Sequence, residues 1–511
     1  MHSFALHPLA VCLLPLGGAG LLWLQPAASA SHVRRVCVAA ALLTLTAAMA
    51  LAARFALDPP QSHALPAALA ELAPERSHVA FALDNLSALL VPVTSALALC
   101  ILWGCPSGEM TSRPAARSLV ALSMVLGTLL SVNMLWLAFF WTASLLPLYL
   151  ELRSTRSVAA RSYRIMLVLC IVPIWALVGA LCWPGVLHPA VAAGDRFDMR
   201  LLSTADAFSQ PNMALLLGSL VLVALLCRVG CFPLHLWISP LSAHGSGPLS
   251  LVTYSTPLGI LVLTRLLLPV FPNVCQLSLP RLLPLAVLSA LYGAIVGLGQ
   301  RDCRRALGYF WMSQQGFLLA GISALSVEGL SGALLHALAT VIVRTGLVII
   351  VLSVAARTGT TDVRRLGGLA LRAPRMSAAF LVLSVAAIGI PGTIGFVSED
   401  LIVQGLVRQH PIEAVMLLVT TGLNGILLFR LHHGIFLGPA SSSPRSAHTA
   451  DFADQLPRER WVSLALIGLL LTGGVISTPL LAVRRNVIQS LQTTGVLPLL
   501  KHHATPRPSG P

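Results

Sequence analysis

The chain has 511 residues, of which 56% are hydrophobic and only 10% are charged, and its formal net charge is +15 at pH 7. A soluble domain carries about 25% charged residues, so this composition excludes a series of soluble domains and predicts one polytopic membrane protein. The net charge does not indicate nucleic-acid binding, because the arginines stand in short clusters between apolar runs and form no basic stripe interleaved with aromatic residues.

Apolar runs long enough to span a bilayer, about 20 residues each, follow one another along the chain. The first includes Ala28, Ser29 and Ala30, which resemble a signal-peptide cleavage site, but the basic region that precedes such a site is missing, so we expect a retained span. We predict an all-α bundle of about 14 spans. Their expected positions are residues 1–32, 36–53, 85–104, a block at 118–150 divided near residue 133, 165–186, 211–228, 248–270, 282–298, 306–325, 330–354, an interrupted span at 376–406, 414–437 and 461–483.

The loop charges predict an orientation. Arginines are concentrated in the loops after odd-numbered spans, and the loops after even-numbered spans hold few or balanced charges. By the positive-inside rule, the arginine-rich loops face the cytoplasm and both termini face away from it. The arginines concerned are Arg34, Arg35, Arg113, Arg117, Arg153, Arg156, Arg161, Arg164, Arg301, Arg304, Arg305, Arg357, Arg364, Arg365, Arg372 and Arg375.

The ten cysteines are scattered, mostly inside apolar runs, and form no CxxC pair. We interpret them as buried reduced thiols rather than as disulfides or as ligands of zinc or an iron–sulfur cluster. The chain also contains no nucleotide-binding loop and no cofactor motif. We therefore expect no cofactor, and any redox chemistry must belong to partner subunits.

Charged side chains inside apolar runs are the candidates for function, because a charge at the centre of a spanning helix costs about 2.5 to 3.5 kcal/mol and needs a partner or a watery cavity. Arg228 follows a run without charged side chains and precedes a break at Gly230 and Pro233. His235 belongs to the same segment, CRVGCFPLHLW. The alternative is that Arg228 reaches the cytoplasmic interface through its long side chain.

Two further pairs of polar side chains lie at membrane depth. His336 and Arg344 are eight residues apart, which places them on one helix face two turns apart. Glu399 and Asp400 follow the helix-breaking run GIPGTIG at 389–395, and a broken helix at this depth is tolerated only where it is buried in protein or lines a watery cavity. These carboxylates indicate a proton or ion path. The alternatives are a structural hydrogen bond for His336 and a helix-end charge in a loop for Glu399.

Three segments in combination carry a family resemblance. They are CRVGCFPLHLW at 227–237, RRALGYFWMSQQGFLLAGI at 304–322 and GIPGTIGFVSEDLIVQG at 389–405, with weaker support from LDNLSALL and WTASLLPLYL. Together they resemble the antiporter-like, proton-conducting subunits of respiratory complex I and of multi-subunit sodium/proton antiporters, membrane-bound hydrogenases and inorganic-carbon uptake complexes. The twelfth-helix segment looks most like the middle type of these complex I subunits.

The resemblance implies about 14 helices, breaks in helices seven and twelve, inverted repeats, and a chain of charged side chains at mid-membrane. Arg228 falls on the family's seventh-helix lysine, Glu399 on its charged twelfth-helix residue, and His336 and Arg344 on its eleventh-helix histidine and lysine. The expected ion path comprises Arg228, His235, His336, Arg344, Glu399 and Asp400, with no catalytic residue and no metal. The expected parts are residues 1–83 with two spans and a polar loop, 84–437 as the antiporter-like domain, 438–485 with a loop and the last span, and a disordered tail at 486–511.

The sequence departs from the family pattern at several positions. Thr142 stands where the family has a fifth-helix glutamate, Pro257 or a close neighbour where it has an eighth-helix lysine, Gln314 where it has a tenth-helix histidine, and Thr340 where it has a second eleventh-helix histidine. Lys501 is the only lysine of the chain. Arginine at the remaining cation positions does not release its proton, because its pKa is above about 12.

Three functions are therefore compatible with the sequence. The first is a non-redox, multi-pass subunit of an NADH–quinone oxidoreductase-like translocase in the inner (plasma) membrane, moving H⁺ or Na⁺ with other membrane subunits and a peripheral cytoplasmic subunit as partners. In it, Glu399, His336 and bound water carry protons while Arg228 and Arg344 act as fixed charges. The second is a non-conducting subunit that anchors a partner such as an inorganic-carbon uptake or hydrogenase component. The third is an independent secondary transporter with inverted repeats.

Overall fold

The computed structural model describes residues 8–57, 81–153, 158–183, 185–189, 191, 195–203, 207–254, 258–439 and 453–475. These residues are almost wholly helical, and the only strand pairing among them consists of isolated bridges. The longer helices, numbered in chain order, are α1 Pro8–Leu24, α2 Ala30–Leu57, α3 Asn85–Gly104, α4 Ser112–Leu130, α5 Met134–Leu152, α6 Val158–Cys182, α7 Pro211–Val229, α8 Ile238–His244, α9 Gly247–Tyr254, α10 Leu258–Val262 continued by a π-helical turn Leu263–Leu267 and by Leu268–Val270, α11 Pro272–Leu298, α12 Cys303–Ser323, α13 Val327–Thr358, α14 Pro374–Ala387, α15 Ile394–Val407, α16 Pro411–His432 continued by a π-helical turn His433–Leu437, and α17 Pro457–Val475.

The predicted all-α bundle of spanning helices is confirmed, although several predicted bounds are wrong. Within the described chain, nine helices are long and apolar enough to cross a bilayer. The sixth span begins at Val158 rather than at 165, and the ninth begins at Pro272 rather than at 282. The ninth was placed too late because Pro280 and Pro284 suggest a helix start, whereas α11 continues through both. Spanning helices tolerate proline because neighbouring groups satisfy the freed backbone atoms.

Both predicted breaks are confirmed. The helix α7 ends at Gly230, which adopts a left-handed conformation with φ 79°, and the indole Nε1 of Trp237 donates to the carbonyl of Cys227 at 3.0 Å. The linker thus folds back onto the end of α7. Between α14 and α15, Gly389 and Gly392 have φ 71° and 94°. Glycine permits these angles at little steric cost, which is why the chain can turn here and start a new helix.

The arginine-rich loops lie together on one face of the bundle, as expected from their alternation. Hydrogen bonds link each of these loops to another one. Direct contacts, and not only the number of spans between them, therefore show that the loops lie on the same face. The contacts are Arg34 to the carbonyl of Cys105 (2.9 Å), Gly247 N to Glu109 (3.1 Å), Ser246 N to Glu151 (2.9 Å), Arg304 to the carbonyl of Gly245, Val363 N to the carbonyl of Arg301 (2.9 Å), and Arg375 N to Asp454 (3.0 Å).

On the opposite face of the bundle, Arg265 links several helices. It lies in the π-helical turn of α10. Its Nε and Nη2 donate to Asp84 Oδ2 at 2.9 and 2.5 Å, and its Nη1 donates to the carbonyls of Leu129 and Ser131 at 2.7 and 3.0 Å. Asp84 also caps α3 in a reciprocal capping box with Ser87. One guanidinium therefore fixes the start of α3, the end of α4 and α10 relative to one another.

Close contact between α13 and α15 depends on glycine. A Cβ added at Gly332 would lie 2.7 Å from the backbone nitrogen of Ile402 and 2.8 Å from the backbone oxygen of Ser398. Gly329 and Gly405 touch in the same way, with 2.5 Å between an added Cβ of Gly405 and Gly329 N. Small residues let membrane helices approach until their backbones touch. The carboxyl-terminal half of the broken twelfth span is thereby held against α13.

Replacing Gly332 by alanine tests this contact. Since the added methyl group meets backbone atoms that cannot rotate away, we expect Gly332→Ala to lower the free energy of unfolding by roughly 1–3 kcal/mol and to lower the melting temperature in detergent. Gly468→Ala on α17 is the matched control, because nothing lies within 4 Å of its added Cβ. Equal melting temperatures for the two variants would contradict the close contact.

Candidate functional site

Arg228 lies inside the protein. Its side chain is buried, its Nη2 donates to Ser144 Oγ at 3.0 Å, and its guanidinium carbon lies 4.4 Å from the ring centroid of Trp141. Ser144 and Trp141 are one helical turn apart on α5, so both face α7. A cation stacked on an indole gains about 0.5–2 kcal/mol or more as the site is desolvated. The alternative in which Arg228 extends to the interface is therefore wrong.

Thr142, at the position of the expected glutamate, does not take part in this contact. Its Oγ1 accepts a hydrogen bond from Trp175 Nε1 of α6 at 2.9 Å in an exposed position. The helix α5 thus presents Ser144 rather than Thr142 to Arg228. The other departures cannot all be placed, since Pro257, Lys501 and the predicted tail at 486–511 lie outside the described residues.

A cavity of about 30 Å³ adjoins Arg228. Thr253, Trp311 and Gln315 contribute to its wall, together with aliphatic side chains. A water molecule needs roughly 10–15 Å³ of such space and several polar partners. The cavity is therefore large enough, and polar enough, to admit water beside the guanidinium.

Arg344 is held in the same manner as Arg228. It is buried in α13, and its guanidinium carbon lies 4.3 Å from the ring centroid of Trp311. Trp311 also lines the cavity beside Arg228. This tryptophan therefore lies near both arginines. The sequence analysis did not select Trp141 or Trp311 as functional residues. In the sequence, each is marked only as an aromatic residue on a helix that also carries polar side chains.

His336 lies two turns before Arg344 on the same face of α13, as predicted, and both side chains contact α12. Its ring stacks on Phe317 with 5.7 Å between centroids, and its Nδ1 lies 3.2 Å from Ser398 Oγ. Its Nε2 is buried, and the backbone of Gln314 on α12 lies close enough to interact with the imidazole. The ring is therefore held between α12 and Ser398 of α15.

Glu399 shares a second cavity, of about 10 Å³, with His336 and Gln314. The half-buried carboxylate accepts a hydrogen bond from Thr421 Oγ1 at 3.0 Å. The break in the twelfth span is what places it there, because a Cβ added at Gly389 would lie 3.3 Å from Glu399 Oε2. An imidazole and a carboxylate, two kinds of side chain that can bind and release a proton, therefore line one small cavity.

Two predicted path residues lie elsewhere. Asp400 is exposed and accepts a hydrogen bond from Gln404 Nε2 at 2.6 Å, one turn along α15. The His235 ring is buried between Phe232 and Tyr292, with centroid distances of 5.7 and 5.1 Å. The structure thus places neither residue in the wall of the two cavities described above.

The helix α12 lies between the two cavities. Trp311 and Gln315 line the cavity beside Arg228, and Gln314 lines the cavity beside Glu399. Adjacent glutamines on a helix point about 100° apart, which lets one helix serve both sides. The helix α12 contains polar residues that lower its hydropathy below that of a typical span. Two of them, Gln314 and Gln315, face inward, toward the candidate path.

The different surroundings of Ser144 and Thr142 can be tested by substitution. We expect Ser144→Ala to lower the free energy of unfolding by about 1–3 kcal/mol, because it removes a partner of a buried charged group. We expect Thr142→Val to cost about 0.6 kcal/mol, the average for interhelical hydrogen bonds in membranes. Thermal unfolding in detergent measures both. A larger loss for Thr142→Val would contradict the assignment of Ser144 to Arg228.

The chain was compared with protein families and with individual proteins. Residues 131–424 match the family described as "NADH:quinone oxidoreductase/Mrp antiporter, TM", and all six predicted path residues lie within that match. The chain is 27% identical over 393 residues to NADH-quinone oxidoreductase subunit M of Mycobacterium tuberculosis, covering 74% of this chain and 69% of that protein. It is 27% identical over 403 residues to NAD(P)H-quinone oxidoreductase chain 4 of Gloeobacter violaceus, covering 75% and 74%.

Solved structures give the same result for the fold. Respiratory complex I from Thermus thermophilus contains a chain that superposes with a TM-score of 0.81 at 23% identity, covering 95% of this chain and 99% of that one. The Mrp complex from Dietzia sp. gives a TM-score of 0.79 at 21% identity, covering 96% and 99%. The matched segment contains both broken helices and both cavities described above, and it makes up more than half of the chain. The chain belongs to the family of transmembrane NADH:quinone oxidoreductase and Mrp antiporter subunits.

Proposed function

We propose that this protein is an ion-translocating membrane subunit of a multi-subunit complex and that it moves protons. The observation that carries the proposal is the cavity shared by His336 and Glu399 in the interior of the bundle. Intramembrane ionisable residues that face a cavity mark ion pathways and proton relays. A proton is favoured over Na⁺ because an imidazole and a carboxylate on one cavity both bind and release protons.

In this proposal the arginines are fixed charges and not carriers. Arg228 and Arg344 keep their protons, so a proton that moves from Glu399 toward α5 must travel on water, and the cavity beside Arg228 offers room for it. A permanent positive charge near such a route makes protonation of neighbouring groups less favourable. The two guanidinium groups would thereby set the barrier for proton conduction. Lysines at the same positions would instead take part in the proton transfer.

The partners and the location follow from the relatives. The similar proteins named above are subunits of quinone oxidoreductases and of an Mrp complex, so we propose that this chain assembles with other membrane subunits of such a complex. We place it in the inner (plasma) membrane with the arginine-rich face toward the cytoplasm and both termini on the other side.

A second function is a subunit of the same fold that anchors a partner without conducting. The observation in its favour is that the two cation positions of the path carry arginine, each stacked on a tryptophan. Such groups stabilise the bundle and give no proton. This function shares the fold and the partners of the first and differs from it only in flux.

Ion flux separates the two functions. We expect the protein, reconstituted in liposomes with its co-purifying partners, to carry protons, and we expect Glu399→Gln to reduce that flux at least about tenfold, because proton relay by a positioned group contributes 10²- to 10⁴-fold in comparable transfers. Asp400→Asn is the matched control: it removes the neighbouring carboxylate, which is exposed and bonded to Gln404, and should leave flux unchanged. Absence of flux in the intact wild-type complex would support the anchoring function.

Cys182 offers a test of orientation. It is exposed and ends α6, on the face opposite to the arginine-rich loops. We expect a membrane-impermeant maleimide to label it in intact spheroplasts, and Cys182→Ser to abolish that labelling. Labelling of Cys182 only in inside-out vesicles would overturn the proposed orientation.

A further inference from the structure

Two cysteines on neighbouring helices face each other across the packing of α6 and α7. Cys170 and Cys227 are both buried. The Cys170 sulfur lies 3.6 Å from the carbonyl oxygen of Ala224 on α7, and the Cys227 sulfur lies 3.9 Å from the carbonyl oxygen of Met166 on α6. Each sulfur thus reaches the backbone of the opposite helix, which places the two side chains next to each other at the contact of α6 and α7.

This thiol pair adjoins the surroundings of Arg228. The Trp141 ring that stacks on Arg228 donates through its Nε1 to the carbonyl of Cys170 at 3.1 Å. Trp237, at the end of the linker after α7, donates through its Nε1 to the carbonyl of Cys227 at 3.0 Å. Arg228 follows Cys227 directly in the chain, so a bond between the two sulfurs would act on the end of α7 that carries the guanidinium.

We propose that Cys170 and Cys227 form a reversible dithiol–disulfide site that, when oxidised, ties α6 to α7 beside Arg228. A disulfide needs Cβ atoms about 3.5–4.5 Å apart, and two side chains that each reach the backbone of the other's helix can meet that requirement with small movements. The second half of the inference rests on the proposed function: the bond would restrict the end of α7 and so reduce flux past the Arg228 cavity.

The oxidant must dissolve in the membrane, because both sulfurs are enclosed by the bundle. We assign this role to a lipid-soluble quinone. The two S–H bonds break and one S–S bond forms, and the two electrons and two protons released convert the quinone to its hydroquinone. A dithiol carries out the reverse reaction through a mixed disulfide.

The bond itself is tested by mass spectrometry on the full protein in native membranes. Duroquinone is the probe, because its four methyl groups disfavour addition of thiols to the ring. After oxidation the protein is unfolded with N-ethylmaleimide in detergent and digested without reductant. We expect a disulfide-linked peptide pair containing Cys170 and Cys227, and two of the ten cysteines protected from N-ethylmaleimide. Modification of all ten, or a disulfide between other cysteines, would overturn the proposal.

Three variants make the assignment specific. Cys170→Ser and Cys227→Ala should each abolish the loss of reactive thiols. Cys275→Ala is the matched control, since Cys275 is buried to a similar extent and its sulfur contacts a backbone carbonyl, that of Leu267, at 3.5 Å. This control should still lose two reactive thiols on oxidation. The wild-type measurement decides the question even where a variant fails to fold.

Flux measurements test the consequence. We expect oxidation to reduce proton flux several-fold in the wild type, dithiothreitol to restore it, and Cys170→Ser to be unaffected by either reagent. A disulfide without any change of flux would overturn the link to Arg228. Absence of flux in the reduced wild type would count against the proposed function alone, because the peptide measurement does not depend on transport.

Discussion

Two permanent positive charges inside an apolar bundle are the constraint on which much of this structure depends. An unpartnered charge at membrane depth is expensive, and the chain meets that cost by stacking Arg228 on Trp141 and Arg344 on Trp311. These contacts determine which faces of α5, α7, α12 and α13 can meet. Arg228 and Trp311 also line one cavity, so the two stacked pairs lie next to each other.

The second cavity depends on glycine. Contact between the backbones of α13 and α15 brings Ser398 to His336 and leaves Glu399, one residue further on, at the neighbouring cavity. The break at Gly389 then lies against the carboxylate. Helix packing thus positions the imidazole and the carboxylate that line the second cavity.

The arginines outside the membrane interior combine two roles. Their distribution predicts an orientation by the positive-inside rule, and specific contacts of their side chains tie the loops to one another. Arg357 shows the second role most clearly, since its Nη2 lies 2.6 Å from the carboxylate of Glu459 and both side chains are largely buried. Because buried pairs are screened far less by salt than exposed ones, such contacts can hold α13 and α17 together at the membrane surface.

Composition, the placement of glycine and proline, and loop charge all act locally along the chain. They therefore predicted the fold class, the two breaks and the location of the arginine-rich loops on one face of the bundle. The sequence also indicated that His336, Arg344, Arg228 and Glu399 needed partners. The partners themselves are known from the folded chain: Ser144 rather than Thr142 for Arg228, Trp311 for Arg344, and separate surroundings for Asp400 and His235. The physical reason is that a partner is chosen by the rotation and spacing of helices distant in sequence, which depend on packing between helices and not on the periodicity within one.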